Sequence, residues 1–163
     1  MGVIAASSYS NRILLSPLEL ADIADLQTLG ADASVFRYIP QIQVPFNATA
    51  WVQMAISNPE NYIRHVVRLR ATKAALGYVQ INRRRNAELE LGYWLGRPHW
   101  GQRFGLEASA LALALFGSVA GRCRVFAATS PENVASVKIL RRLGFAQCNS
   151  AASDGMNDHV LHL

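Results

Sequence analysis

Between residues 62 and 95 the chain passes through three strand-length segments joined by links too short to hold a helix. The segments are Tyr62–Leu69, Ala75–Asn82 and Glu88–Leu95, and the links are Arg70–Lys73 and Arg83–Ala87. The first two segments are rich in Val, Ile and Tyr, which suit a pleated, half-buried surface. Strands joined by such short links pair antiparallel, because a parallel return needs a crossover of about a dozen residues or more. An antiparallel meander therefore stands at the centre of this fold, and the rest of the chain must pack on it.

The flanks read as helices and further strands. Residues 1–10 are small and polar and read as a flexible tail, leaving 11–163 as one domain. Arg12–Leu15 is a short strand. Ser16-Pro17 then suits a helix start, Ser16 as cap and Pro17 in the first turn, with apolar spacing from Leu18 to Leu29 and a stop at Gly30. Residues 31–46 are irregular. A second helix is expected over Ala48–Ser57, capped by Asn47 and ended by Asn58-Pro59. After the meander comes the loop Trp100-Gly101-Gln102-Arg103. A helix from Phe104 to about Val119 follows, so uniformly apolar that it must lie buried or against a sheet. Arg124–Thr129 is a strand, Pro131–Leu143 a helix closed by Gly144, and Phe145–Cys148 and Asp158–Leu163 are the last two strands. Strands and helices interleaved in this order make a mixed α/β sheet in a single domain.

Composition narrows the function. With 163 residues, 51% apolar and 17% charged, the chain can bury one ordinary core. The longest apolar stretch, around Ala108–Phe116, is about half the roughly 20 residues of a membrane span. The N-terminus lacks the basic-then-apolar pattern of a signal peptide, so a cytoplasmic location is expected. Cys123 and Cys148 form neither a disulfide framework nor a metal cluster, and read as structural residues in or beside apolar strands. Charge is uneven: residues 1–60 hold two Arg and five acids, net −3, and residues 61–163 hold fourteen Lys+Arg and six acids, net +8. That bias suggests an anionic partner. Nucleic acid is disfavoured, since no recognised nucleic-acid motif accompanies Arg83-Arg84-Arg85.

Three segments carry candidate chemistry. The Gly-bearing loop at Trp100–Glu107 opens a helix, and its backbone N–H groups can hold a phosphate or pyrophosphate. It has neither Walker nor Rossmann spacing. In the strand before it, alternation sets Glu88, Glu90, Gly92 and Trp94 on one face and Leu89, Leu91, Tyr93 and Leu95 on the other. A carboxylate partly buried there is a candidate general base, or else a solvated face residue or a partner of Arg83–Arg85. Asn133 and Ser136, three apart on one helix face, could hold a ligand or simply cap and decorate the helix.

Taken together, Leu91-Gly92-Tyr93-Trp94-Leu95, Trp100-Gly101-Gln102 with Glu107-Ala108, and Glu132-Asn133-Val134-Ala135-Ser136 leading to Leu143-Gly144-Phe145 resemble the GNAT acyl-CoA N-acyltransferases. The resemblance is greatest to their RimJ/RimL-type branch. It implies a mixed, mostly antiparallel sheet splayed near its middle, with helices on both faces and acetyl-CoA in the opening. It implies that Gly101, Gln102, Arg103, Phe104 and Gly105 hold the pyrophosphate, and that Tyr93, Trp94 and Leu95 meet the acetyl and pantetheine portion. Asn133 and Ser136 would face the pantetheine arm. Glu90, with Glu88 second, would act as base through water.

Two departures stand out. Arg103 replaces the second Gly of the loop, so it needs an allowed backbone there, and its guanidinium can pair with a phosphate. The Asn133–Leu143 helix carries no Tyr to protonate a leaving thiolate, which leaves Ser136 or water. The resemblance implies an N-acetyltransferase without a metal, acting on a protein N-terminus such as that of a ribosomal protein or on a small amine, as monomer or homodimer. A catalytically silent acyl-CoA-binding or regulatory protein is the alternative. Phe36, Tyr38 and Phe46 either line an acceptor cleft or pack, and Arg97, Arg103 and Arg141–Arg142 are the phosphate partners to test.

Overall fold

A computed structural model of the chain describes residues 4–58, 61–83, 88–151 and 156–163. Its eight strands are β1 (Ser8–Tyr9), β2 (Ile13–Pro17), β3 (Asn61–Leu69), β4 (Ala75–Arg83), β5 (Leu89–Leu95), β6 (Arg124–Thr129), β7 (Ala146–Ala151) and β8 (Asn157–His162). Four helices accompany them: α1 (Ile23–Leu29), α2 (Ala48–Ser57), α3 (Phe104–Ala120) and α4 (Val134–Arg142). The strands form one sheet in the order β1-β2-β3-β4-β5-β6-β8-β7. Every pairing is antiparallel except that of β5 with β6.

The expected meander is β3-β4-β5, and its register is continuous from Gly77–Leu95 to Arg83–Leu89 on the β4–β5 side. Gly77 is required at its position: a Cβ there would lie 2.2 Å from the carbonyl oxygen of Trp94. The β5–β6 junction is much shorter. Among the described residues it consists of Leu89 opposite Val125 and Glu90 opposite Phe126, and beyond these the two strands part. The sheet is therefore open along the Leu91–Leu95 stretch of β5, near its middle.

Helices cover both faces, and two apolar cores result. On one face α1 and α2 bury Leu26, Val52 and Ala55 against Val66, Tyr78 and Trp94. Phe36, Phe46, Trp51 and Trp94 form an aromatic cluster there, with ring centroids 4.8–6.0 Å apart. On the other face α3 packs Phe104, Ala108, Ala112, Leu113 and Phe116 against Ile63, Val79, Ile81 and Leu91, joined by Leu140 of α4. The small residues of α3 let it lie close to its neighbours. At Gly105 a Cβ would stand 3.1 Å from Ile139 of α4. Each buried Leu or Phe here is worth about 2–5 kcal/mol against truncation to Ala.

The α2 boundaries match the expectation, with Asn47 Oδ1 accepting from Ala50 N at 3.0 Å; Pro59, expected to end it, lies outside the described residues. The first helix starts later than expected. Pro17 ends β2, opposite His65, and Leu18 N still donates to Arg64 O, so the strand continues where a helix cap was expected at Ser16. The turn comes instead at Glu19, whose N donates to Asp22 Oδ2 at 2.9 Å. Asp22 is in turn held by Arg68 of β3. Residues 4–10, read as a flexible tail, are attached to the sheet as well: Ile4 is buried and donates to Tyr62 O, and Ala6 O contacts His65 Nε2 at 2.9 Å. Among the described residues no helix is long and apolar enough to cross a membrane.

Candidate active site

The opening of the sheet is the mouth of a cleft of about 1100 Å³. Its walls come from the residues after α1, from α2, β4, β5, the 97–106 loop, the end of β6 and the start of α4. Each wall contributes a different chemistry.

The loop wall carries the anion-binding features. Gly101 has φ +76 and Arg103 has φ 66, ψ 11, the left-handed region in both cases. That conformation costs a non-Gly residue about 1–2 kcal/mol, so Arg103 adopts the backbone that a glycine would supply freely. It sits at the N-cap of the 17-residue α3, and no side chain caps that helix. By contrast, α2 and α4 are capped by Asn47 and Asn133. The first N–H groups of α3 and its positive dipole end therefore remain for an anion. These features fit a pyrophosphate. Gly101, Arg103, Phe104 and Gly105 line the cleft. Gln102 does not; its amide donates to Pro98 O at 3.2 Å and its carbonyl accepts from Arg12 Nη1 at 3.1 Å.

Arg12 was not singled out in the sequence, yet it anchors this loop. Its Nε donates to Glu107 Oε2 at 2.9 Å, and its guanidinium lies 4.8 Å from the Phe104 ring centre. Ser10 holds the other oxygen of the same carboxylate. Glu107 stands in the first turn of α3, where a free carboxylate would oppose a bound anion. Arg12 balances it. The partners are 95 residues apart in sequence, so no local signal marks the pair.

The β5 wall brings the two candidate carboxylates to different places. Glu90 lines the cleft, opposite Asn82 of β4 and itself in the last β5–β6 pair, whereas Glu88 precedes the strand and does not line the cleft. Tyr93 and Leu95 turn toward the α3 core and Trp94 toward the aromatic cluster, and all three line the cleft. Tyr93 Oη lies 2.7 Å from Ser136 Oγ. Burial pushes the Tyr93 phenol up to about 12, while the Ser136 hydrogen bond pulls the other way. The phenol is therefore a neutral, proton-bearing group at ordinary pH. Asn133 caps α4, its Oδ1 accepting from Ser136 N at 3.2 Å, which leaves Nδ2 to reach a ligand.

The remaining candidates divide. Tyr38 lines the cleft, while Phe36 and Phe46 are buried in the aromatic cluster. Lys138 and Arg142 line it with Arg103; Arg141 does not, and Arg97 is paired with Asp32 at 3.1 Å. His99 lines the cleft, and burial pushes its imidazole down. Cys123 and Cys148 are unbridged, half-buried and outside it. Arg83 lies over the Tyr62 ring at 5.7 Å; Arg84 and Arg85 lie outside the described residues. Trp51, Met54, Gln80 and Asn82 also line the cleft. Sequence reasoning missed them, although the Asn47 cap fixes the phase of α2 and hence the shared face of Trp51 and Met54.

Comparison with known proteins decides the family. A sequence profile of the acetyltransferase (GNAT) domain matches residues 12–146. The chain belongs to the GNAT acetyltransferase family. A relative, the uncharacterized N-acetyltransferase p20 of Bacillus licheniformis, is 30% identical over 145 residues, covering 84% of this chain and 80% of p20. Among solved structures, an acetyltransferase from Agrobacterium tumefaciens superposes with a TM-score of 0.82 at 19% identity, covering 100% of this chain and 98% of its own. A Vibrio cholerae chain, provisionally named a ribosomal-protein-serine acetyltransferase, superposes with a TM-score of 0.73 at 22% identity, covering 98% of each chain. These likenesses show the GNAT fold: a mixed sheet of eight strands with four helices, parted between β5 and β6.

Proposed function

We propose that this GNAT protein transfers the acetyl group of acetyl-CoA to a primary amine by direct attack in a ternary complex. One observation carries the reading. The uncapped, left-handed entry to α3, the Glu90 carboxylate and the Tyr93–Ser136 hydroxyl pair all face one cleft where the sheet parts. The α3 entry suits the pyrophosphate, Arg103, Lys138 and Arg142 add positive charge for it, and Asn133 Nδ2 suits an amide of the pantetheine arm. Acetyl-CoA supplies the thioester carbonyl carbon.

Glu90, through water, takes a proton from the ammonium, and the neutral amine so formed is the nucleophile. The amine nitrogen bonds to the carbonyl carbon, and N–H groups of β5 that β6 leaves unpaired beyond Glu90 hold the oxyanion. The carbon–sulfur bond then breaks. Ser136, backed by Tyr93, returns a proton to the sulfur, giving the amide and free CoA thiol. Holding both reactants in one cleft supplies much of the rate.

The acceptor is an amine of a peptide or protein N-terminus or of a small molecule. A RimJ/RimL-type role in the cytoplasm, with a ribosomal protein as acceptor, is the narrower form of the reading, supported by the Trp100–Ala108 and Glu132–Phe145 motifs and by the naming of the Vibrio chain. The test is release of CoA thiol from acetyl-CoA with a panel of amines, including Ala-, Ser- and Met-starting peptides. Amine-dependent release supports the proposal. Firm acetyl-CoA binding with no release from any amine would instead indicate a silent acyl-CoA-binding protein.

A further inference from the structure

We infer that the acceptor is a singly charged amine carried on an apolar body, and that the cleft discriminates against polycations. This rests on the acyl-transfer reading and names the acceptor side of that same site.

The floor of the acceptor half is the β4–β5 ladder. Three cross-strand pairs follow one another on its cleft face: Tyr78 with Trp94, Gln80 with Gly92, and Asn82 with Glu90. At about 3.3 Å per residue, these pairs span roughly 13 Å. Polarity changes in one direction along that line, from two aromatic rings that are themselves almost wholly buried, 1% exposed at Tyr78 and 5% at Trp94, through an amide lying over a glycine, to a carboxylate beside Asn82. The aromatic end is extended upward by Trp51, whose ring centre is 4.6 Å from that of Tyr78. Met54, one turn along α2, stands at the lip with 62% of its surface exposed. An acceptor lying along this floor presents its amine to Glu90 and its apolar part to Trp51 and Met54.

Charge gives the second half of the argument. Among the described residues lining the cleft, Glu90 and Glu132 are the acids, against Arg37, Arg97, Arg103, Lys138 and Arg142. Glu132 adjoins the α4 cap, so Glu90 is the carboxylate for the acceptor half. Recognition of a polyamine or an aminoglycoside needs several spaced acids. Here a second ammonium finds no second acid in the acceptor half and meets Arg37 at the lip. Arg37 lies over the Tyr38 ring at 5.3 Å and Arg97 is held by Asp32, so both cations stay on the rim. An arylalkylamine and the α-amine of a polypeptide starting with Phe or Leu share the required chemistry.

The experiment measures CoA-thiol release by the full chain with phenethylamine, Phe-, Leu- and Gly-starting tripeptides, spermidine and kanamycin. The expected kcat/KM for phenethylamine or the Phe and Leu peptides is at least about tenfold above that for spermidine, kanamycin and the Gly peptide. Phenethylamine against the Phe peptide distinguishes a free amine from a chain terminus. Met54→Glu, at an exposed position that leaves the core intact, is expected to lower kcat/KM for the apolar amines about threefold and to raise that for spermidine. Equal or better use of spermidine or kanamycin, or of the Gly peptide, overturns the inference while leaving acyl transfer intact. If no amine releases thiol, acyl transfer fails, and quenching of Trp fluorescence by the same amines on the CoA-loaded protein still decides. Tighter binding of phenethylamine than of spermidine upholds the inference, and the reverse order removes it.

Discussion

Tyr93 Oη and Ser136 Oγ, 2.7 Å apart, join β5 to the first turn of α4 across the parted sheet. In the proposed reaction this hydroxyl pair supplies, from a strand, the phenol that the α4 helix lacks. Tyr93→Phe keeps the ring packed beside Gly105 and removes only the proton. A drop in kcat of tenfold or more is expected, with acetyl-CoA affinity within about threefold of wild type. Ser136→Ala should fall in the same direction, and the double variant should be little worse than the worse single, since the two hydroxyls act as one unit.

Tyr93 also predicts an alkaline limit to stability. The folded state holds its phenol at about 12, above the ordinary 10. The unfolded chain gives up that proton near pH 10 while the folded chain keeps it. The group's contribution is therefore complete below pH 10 and is lost as pH rises toward 12. Denaturant melts across that interval should show wild type losing more stability than Tyr93→Phe. Tyr78, raised in the same direction by complete burial, keeps a residual slope in both proteins.

Glu90 and Glu88 differ in position, so their amide variants should differ in effect. Glu90→Gln is expected to cut turnover about 10²-fold or more with acetyl-CoA affinity nearly unchanged. Glu88→Gln should stay within about threefold. Steady-state kinetics and a binding titration on each variant make the comparison, and unchanged turnover in Glu90→Gln removes it as the base.

Arg103 occupies a glycine conformation. Arg103→Gly should raise stability by about 1 kcal/mol, because the left-handed backbone is then free of cost. The same variant loses a guanidinium beside the α3 entry. CoA affinity should fall several-fold and depend less steeply on salt. Thermal melts with and without CoA separate the two effects, and a gain in both quantities would remove Arg103 as a phosphate partner.

Arg12 acts on the same loop from the opposite side. Arg12→Ala should cost about 1 kcal/mol, a figure kept small because the pair is partly exposed. It leaves Glu107 uncompensated in the first turn of α3, so CoA affinity should drop more than stability does. Adding Glu107→Gln to Arg12→Ala should recover part of that affinity. Lack of recovery in the double variant would show that Arg12 acts only through packing on Phe104 and the Gln102 carbonyl.

Much of this architecture is legible in the sequence because its signals are local. The meander follows from three strand-length runs with short links, α2 from the Asn47 cap, and the α3 entry from the Trp100–Arg103 loop. What is not legible depends on distant partners. Ser16-Pro17 satisfies the local rules for a helix start, but pairing with β3 extends the strand through Pro17, and Arg68, 46 residues from Asp22, helps hold the turn that follows. The Arg12–Glu107 tie is hidden for the same reason. In the site, alternation assigned Glu88 and Glu90 to one face, but β5 begins only at Leu89. Alternation could not say that only Glu90 reaches the cleft, since that depends on where β6 leaves β5.

The brevity of the β5–β6 junction bears on how the cleft is held. Strands β2 to β5 make one antiparallel block of the sheet and β6 to β8 another. Among the described residues only the pairs Leu89–Val125 and Glu90–Phe126 tie the two blocks together. The cleft lies where they part, so it rests on a junction much shorter than the ladders inside either block. A variant weakened at Val125 or Phe126 would keep most of its secondary structure while losing the pocket, so circular dichroism would report a folded protein that binds no CoA.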